Sequence, residues 1–238
     1  MRLDIDVKAK VAECLDKGYV RLADSMGSDL SIVRSARVSY NADWRADIGD
    51  APSDRKLIHY LWKNGHTSPF EAVQFTFEVQ APIFVFRQWH RHRTWSFNEV
   101  SARYTELPEV FFVPEPGDIG TPSKHNKQVR DIMTVDPDGY VKASEQAGMI
   151  QAACEVSFEV YRELLASGVP RELARTVLPL GTYSRMFATV DLHNLLRFLN
   201  LRIHPHAQAE IRVYAEAIRE LIRPVVPIAM DAWALANS

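Results

Sequence analysis

The chain predicts an α+β fold in one domain, residues 1–238, with a central and mostly antiparallel sheet flanked by helices. Three observations carry this. Residues 73–79 (VQFTFEV) alternate strictly between apolar and polar side chains, the period of a half-buried strand. Several later segments repeat apolar residues at helical spacing. Strands and helices mix without the βαβ rhythm of a parallel sheet.

The N-terminal residues 1–17 carry charges every few positions and read as an extension of unknown role. Residues 19–25 alternate enough for a strand. A helix follows over 28–38, with Ser28 as N-cap. A second helix spans 52–64, and Gly65 stops it. His66, Thr67, Ser68 and Pro69 form a polar connection to the 73–79 strand. Pro82 opens a helix through Arg91. Residues 110–113 (VFFV) read as a strand, and 114–141, rich in Pro, Gly, Asp and Lys, as a surface excursion. A long helix is expected over 142–166, ending near Gly168, and Pro170 is placed as the first residue of the next. Residues 182–190 suit a strand, Asp191 caps a helix to about Leu201, and a last helix covers about 206–222.

Bulk properties narrow the function. Hydrophobic residues make up 47% and charged residues 24%, ordinary values for a chain that buries a core. A net charge of −2 argues against binding nucleic acid or membranes by charge alone. Cys14 and Cys154 are too few and too far apart for a disulfide framework, which suits a reducing, cytoplasmic setting. No apolar run has the length of a signal core or a membrane span.

Against this background, Arg87–Tyr104 (RQWHRHRTWSFNEVSARY) is exceptional. Four arginines (87, 91, 93, 103) against Glu99 give +4 − 1 = +3. A guanidinium presents a planar fork of donors that matches phosphate. Ser96, Asn98 and Ser101 add groups that position a heterocycle or sugar. Trp89, Trp95, Phe97 and Tyr104 alternate with the arginines, which is wasteful on a plain solvated face. The segment therefore reads as the active site of an enzyme for phosphorylated, nucleotide-like ligands. A single-strand nucleic-acid module is the competing class, because aromatics and arginines also suit base stacking; the absence of a wider basic stripe counts against it.

Other chemistries fit less well. Ser101 as a nucleophile needs a base, and arginines dominate its surroundings. Neither cysteine has the basic neighbourhood that makes a reactive thiolate. His90, His92, His193, His204 and His206 are unsuited to a metal, because arginines beside them repel a dication.

The same residues resemble a known signature. Arg91–Tyr104 matches every fixed position of RHRxxSxNExSxRY, the pattern of the flavin-dependent thymidylate synthases. GHTSPFE at 65–71, APIFVFRQW at 81–89, SGVPRELARTVLPL at 167–180 and FLNLRIHPHAQAEIR at 198–212 resemble family segments in the same order. The resemblance covers roughly residues 18–222 and is weakest over 114–141.

It implies conversion of dUMP to dTMP, with methylenetetrahydrofolate as carbon donor and NADPH reducing a bound FAD. It implies a homotetramer whose active sites combine several subunits. By match, Arg202 is the residue that activates the pyrimidine. Ser68, Glu71, Arg91, His92, Arg93, Asn98, Glu99, Asp191, His193 and Arg197 correspond to FAD contacts, with His66 near the flavin. Family members carry Asn-x-Arg and a later Asn where this chain has Asp191, His193 and Arg197. Gln88, Arg91, Glu99, Ser101, Ala102, Arg103, Arg175 and Arg202 correspond to dUMP contacts. Direct transfer of the carbon and passage through the flavin both fit these residues.

Overall fold

β4 (Gln74–Pro82) and β8 (Tyr183–Asp191) form the spine of the molecule. A computed structural model of the chain describes residues 1–39, 52–126, 129–131 and 137–236. β4 pairs antiparallel with β8 along its whole length, from Gln74 opposite Asp191 to Pro82 opposite Tyr183. Their alternation sends Phe75, Phe77, Val79, Met186, Ala188 and Val190 into the core. The opposite face is polar at Thr76, whose hydroxyl meets that of Thr189 at 3.0 Å.

Three more strands extend the sheet beyond β4. They are β3 (Gly18–Met26), β2 (Val11–Cys14) and β1 (Leu3–Asp6). β5 (Ser96–Glu99) closes the other edge, giving the order β1-β2-β3-β4-β8-β5 with every pairing antiparallel. Residues 3–14, read from sequence as an extension, are thus integral to the sheet. Cys14 is fully buried there. Gly18 leaves room for the Tyr214 hydroxyl, which donates to the Gln80 carbonyl at 2.9 Å; a Cβ on Gly18 would stand 2.0 Å from that oxygen.

The helices cover the apolar face. α1 (Asp29–Val38) starts at Ser28, whose N–H donates to Ser31 Oγ at 3.1 Å. α2 (Pro52–Lys63) follows, and a 3-10 turn at Ser68–Ala72 leads into β4. α3 (Ile83–Trp89) ends two residues earlier than expected, and Pro82 is its N-cap rather than its first residue. α7 (Leu192–Arg202) begins at Asp191, whose two oxygens accept from the Asn194 backbone and side-chain amides at 2.9 and 2.7 Å. α8 (Ala209–Ile222) packs its apolar face on β1, β2 and β3.

Other expectations change. Residues 110–113 make only an isolated bridge, Phe111 to Thr182, because Phe111 turns into a small cluster with Phe158 and Tyr161. The excursion is structured in part: α4 (Pro116–Ile119) and the two-residue strands β6 (Thr121–Pro122) and β7 (Arg130–Asp131) lie within it. α5 (Pro137–Ala166) starts five residues earlier than read, and Gly168 stops it at φ +88°. Pro170 caps the single-turn α6 (Arg171–Ala174), and a 3-10 turn at Arg175–Val177 replaces the rest of the expected helix. A last helix, α9 (Pro227–Ala236), went unread; the buried Asp29 carboxylate accepts from the N–H groups of Ile228 and Ala229 at its start.

Candidate active site

The arginine-rich segment divides by depth. Trp89 and Trp95 are buried, while Arg87, Arg91, Arg93 and Arg103 are exposed. The tryptophans pack on Phe198 of α7, with ring centroids 5.0 and 5.1 Å away. Their part in the alternation is therefore anchorage to the core, not the base stacking of the competing nucleic-acid reading. Tyr104 is 81% exposed and is not part of this cluster. The anchorage fixes the backbone on which the arginines stand, so a flexible cation gains a rigid base.

Three groups of matched residues result. The first lines a 450 Å³ cavity between α3, β5 and the Arg175–Val177 turn. Arg87, Glu99, Ala102 and Arg175 meet there. Arg87 belongs to the basic segment, and its place beside Arg175 is visible only in the fold. Ser101 and Arg103 follow in the next turn, where the Arg103 N–H donates to Ser101 Oγ at 3.3 Å. Arg103 makes one loose ion pair, 3.6 Å from Glu172.

The second group surrounds Arg202 on α7. Its Nε donates to His92 Nε2 at 3.0 Å, and its Nη2 donates to the Gln88 carbonyl at 3.0 Å. His92 can accept only while neutral. Burial holds its pKa down, and the guanidiniums of Arg202 and Arg197 push further, to about 4. Burial and the like charge of Arg91 also lower the pKa of Arg202. Among the described residues no carboxylate pairs with Arg202. The Gln88 side chain donates to Gln208 Oε1 at 2.6 Å. Gln208 lies in the matched 198–212 stretch, and no local pattern links it to Gln88.

The third group borders the 3-10 turn. His66 and Ser68 line a 630 Å³ groove with Arg37, Leu57 and Tyr60. The His66 and Tyr60 rings stack 5.9 Å apart at 24°. Next to it, Glu71 lies 3.8 Å from His193. Asn98 stands on the edge strand β5 opposite Phe187, apart from this groove. Asp191 serves as a helix cap, each of its two oxygens accepting a bond from Asn194. Among the described residues, the cavity beside Arg87 and the groove beside His66 have no lining residue in common.

The electrostatics single out the ligand type. Arg37 and Arg130 have buried carboxylate partners, Asp54 and Glu210. Among the described residues Arg87, Arg91, Arg93, Arg175 and Arg197 form no salt bridge. Two of these uncompensated guanidiniums, Arg87 and Arg175, line one cavity, which makes it a local anion site in a chain of net charge −2. Neither thiol competes as a nucleophile: burial raises the pKa of Cys14, and burial with Glu155 raises that of Cys154.

The fold and this site define an α+β enzyme class that handles phosphorylated ligands with arginine. The family model for "Thymidylate synthase complementing protein" matches residues 21–228. A flavin-dependent thymidylate synthase of Thermus thermophilus is 47% identical over 219 residues, 92% of this chain and 76% of the relative. One from Thermotoga neapolitana is 45% identical over 92% of both chains. The solved structure of the UMP/dUMP methylase PolB from Streptomyces cacaoi, bound with 5-Br dUMP, superposes with a TM-score of 0.81 at 39% identity, covering 94% of this chain and 97% of that one. The chain belongs to the family of flavin-dependent thymidylate synthases.

Proposed function

We propose that this enzyme converts dUMP to dTMP by reductive methylation, with FAD as the flavin. Methylenetetrahydrofolate gives the carbon and NADPH the reducing equivalents; tetrahydrofolate and NADP leave as co-products. The observation that carries the reading is the state of Arg202. It is half-buried, fixed by His92 and Gln88, and has no carboxylate partner among the described residues.

A guanidinium so placed does not act as a base, because it does not deprotonate in proteins. It stabilises the N3-ionised form of the pyrimidine by attraction and hydrogen bonding. That raises electron density at C5, where the new carbon attaches. Prior fixation by His92 means that no reorganisation of the cation is needed when charge develops. Arg103 and Arg175 suit the dUMP phosphate, Ser101 and Ala102 the turn that seats it, and Gln88 and Glu99 the pyrimidine side.

The donor set fits a flavin nucleotide. Tyr60 and His66 offer a flat stacked wall beside Ser68, and Arg91, Arg93 and Arg197 offer phosphate donors. His92, Asn98, Glu71 and His193 complete the set that would hold it, and Asp191 contributes through the helix start that it caps. Bound FAD supplies the hydride after reduction by NADPH. The division of these residues among separate grooves supports sites completed by other copies of the chain, in a homotetramer.

The test is anaerobic turnover of dUMP with NADPH and methylenetetrahydrofolate, with and without added FAD. FAD-dependent dTMP formation is expected. A colourless protein that forms no dTMP with FAD, and that retains oligonucleotides in a salt-dependent way, would overturn the reading in favour of a nucleic-acid module.

A further inference from the structure

Gln208 is the N-cap of α8, and its carbonyl accepts from the Arg212 N–H at 3.2 Å. Two residues on, Glu210 is buried and paired with Arg130 at 2.6 Å. Arg130 Nε also donates to the Asp118 carbonyl at 2.7 Å. The start of α8 is therefore tied to the neighbouring arm at a fixed point. From that point the Gln208 side chain reaches 2.6 Å from the Gln88 amide.

We propose that Gln208 is a positioning residue for the pyrimidine of dUMP, acting through Gln88. A glutamine amide has several rotatable bonds and two faces that differ only by a flip. A 2.6 Å bond to a side chain carried by that tied helix start restricts this freedom. The Gln88 Oε1 and its second N–H then keep one orientation, an acceptor beside a donor. A uracil ring offers carbonyl oxygens that the second N–H can meet, which leaves N3 to Arg202. The backbone of Gln88 is held as well, because its carbonyl accepts from Arg202. Gln208 thus orients the side chain of the residue that anchors the activating cation. The inference rests on Gln88 binding dUMP, and the test separates the two.

The KM for dUMP, kcat, flavin content and thermal midpoint are measured for Gln208→Leu, Gln208→Glu, Gln88→Ala and the Gln88→Ala/Gln208→Leu pair. Gln208→Leu removes the acceptor and is expected to raise the KM about tenfold, with kcat, flavin content and midpoint nearly unchanged. Gln208→Glu keeps an acceptor and is expected to retain a KM within about threefold of the parent. The paired variant is expected to be no worse than Gln88→Ala alone. A Gln208→Leu variant with the parent's KM, beside a raised KM in Gln88→Ala, overturns the proposal and leaves the function intact. If Gln88→Ala itself leaves the KM unchanged, the assignment of Gln88 fails and Gln208 falls with it. Should Gln208→Leu not fold, Gln208→Glu still decides, since a KM raised tenfold despite a retained acceptor also sinks the idea.

Discussion

Arg202 and Arg103 carry the same charge in opposite settings. Arg202 is half-buried on α7, with a histidine nitrogen and a helix-end carbonyl fixing it. Arg103 is exposed on a turn, and its one ion pair is long, at 3.6 Å. A fixed cation suits charge that develops during reaction, where preorganisation lowers the barrier. A mobile cation suits capture of a phosphate that arrives fully charged. Under the proposed function, this difference in mechanical freedom separates binding from activation.

The comparison breaks first at Arg202. Arg202→Ala is expected to keep its flavin and lose dTMP formation by at least about a hundredfold, as for removal of a preorganised charge. Flavin absorbance and steady-state turnover check both halves. Near-normal turnover would mean that the fixed arginine is structural.

Arg103→Ala comes next. Its dUMP dissociation constant should rise about ten- to a hundredfold, the size of one charged hydrogen bond, with little change in kcat. A fall in kcat like that of Arg202→Ala would erase the distinction between the two cations. Isothermal titration with dUMP, beside turnover at saturating dUMP, reads this.

His92 sharpens it further. Its pKa lies near 4 in the folded chain, against an ordinary 6.5, because of burial and two guanidiniums. Between those values the unfolded chain binds the extra proton, so stability falls as pH drops from about 6.5 towards 4. His92→Gln, which does not titrate, should flatten that part of the stability curve measured by denaturant unfolding. An equally steep curve in the variant would show that other groups dominate.

The smallest effect is expected at sulfur. A Cys14→Ala, Cys154→Ala double variant should retain about the parent's activity, since neither thiol is activated. An inactive but folded double variant would reopen a thiolate mechanism.

Legibility followed the range of the causes. β4 could be read because strict alternation is written in consecutive residues. The Asp191 cap could be read because its partner Asn194 is one turn away. β1 and β2 were missed because they are four residues each and rich in charge. α9 was missed because it is apolar nearly all round, which leaves no amphipathic stripe to see. Residues 110–113 have strand composition, yet the Phe111 side chain follows the Phe158–Tyr161 cluster instead. The anchoring role of Trp89 and Trp95 is illegible for a related reason: burial does not show in a list of neighbours along the chain.

By itself the sequence determined the family and the mixed fold, because an unusual run of arginines, hydroxyls and one carboxylate, like the alternation of a strand, is a local property. The tertiary structure decided which of those arginines is held and which is free. His92 and Arg202 stand 110 positions apart, and Gln88 and Gln208 stand 120 apart. Contacts of that range exist only after β4 and β8 have paired and α7 has packed on the tryptophans. The pKa of His92, and with it the fixation of Arg202, is a product of that packing, since burial is its first cause.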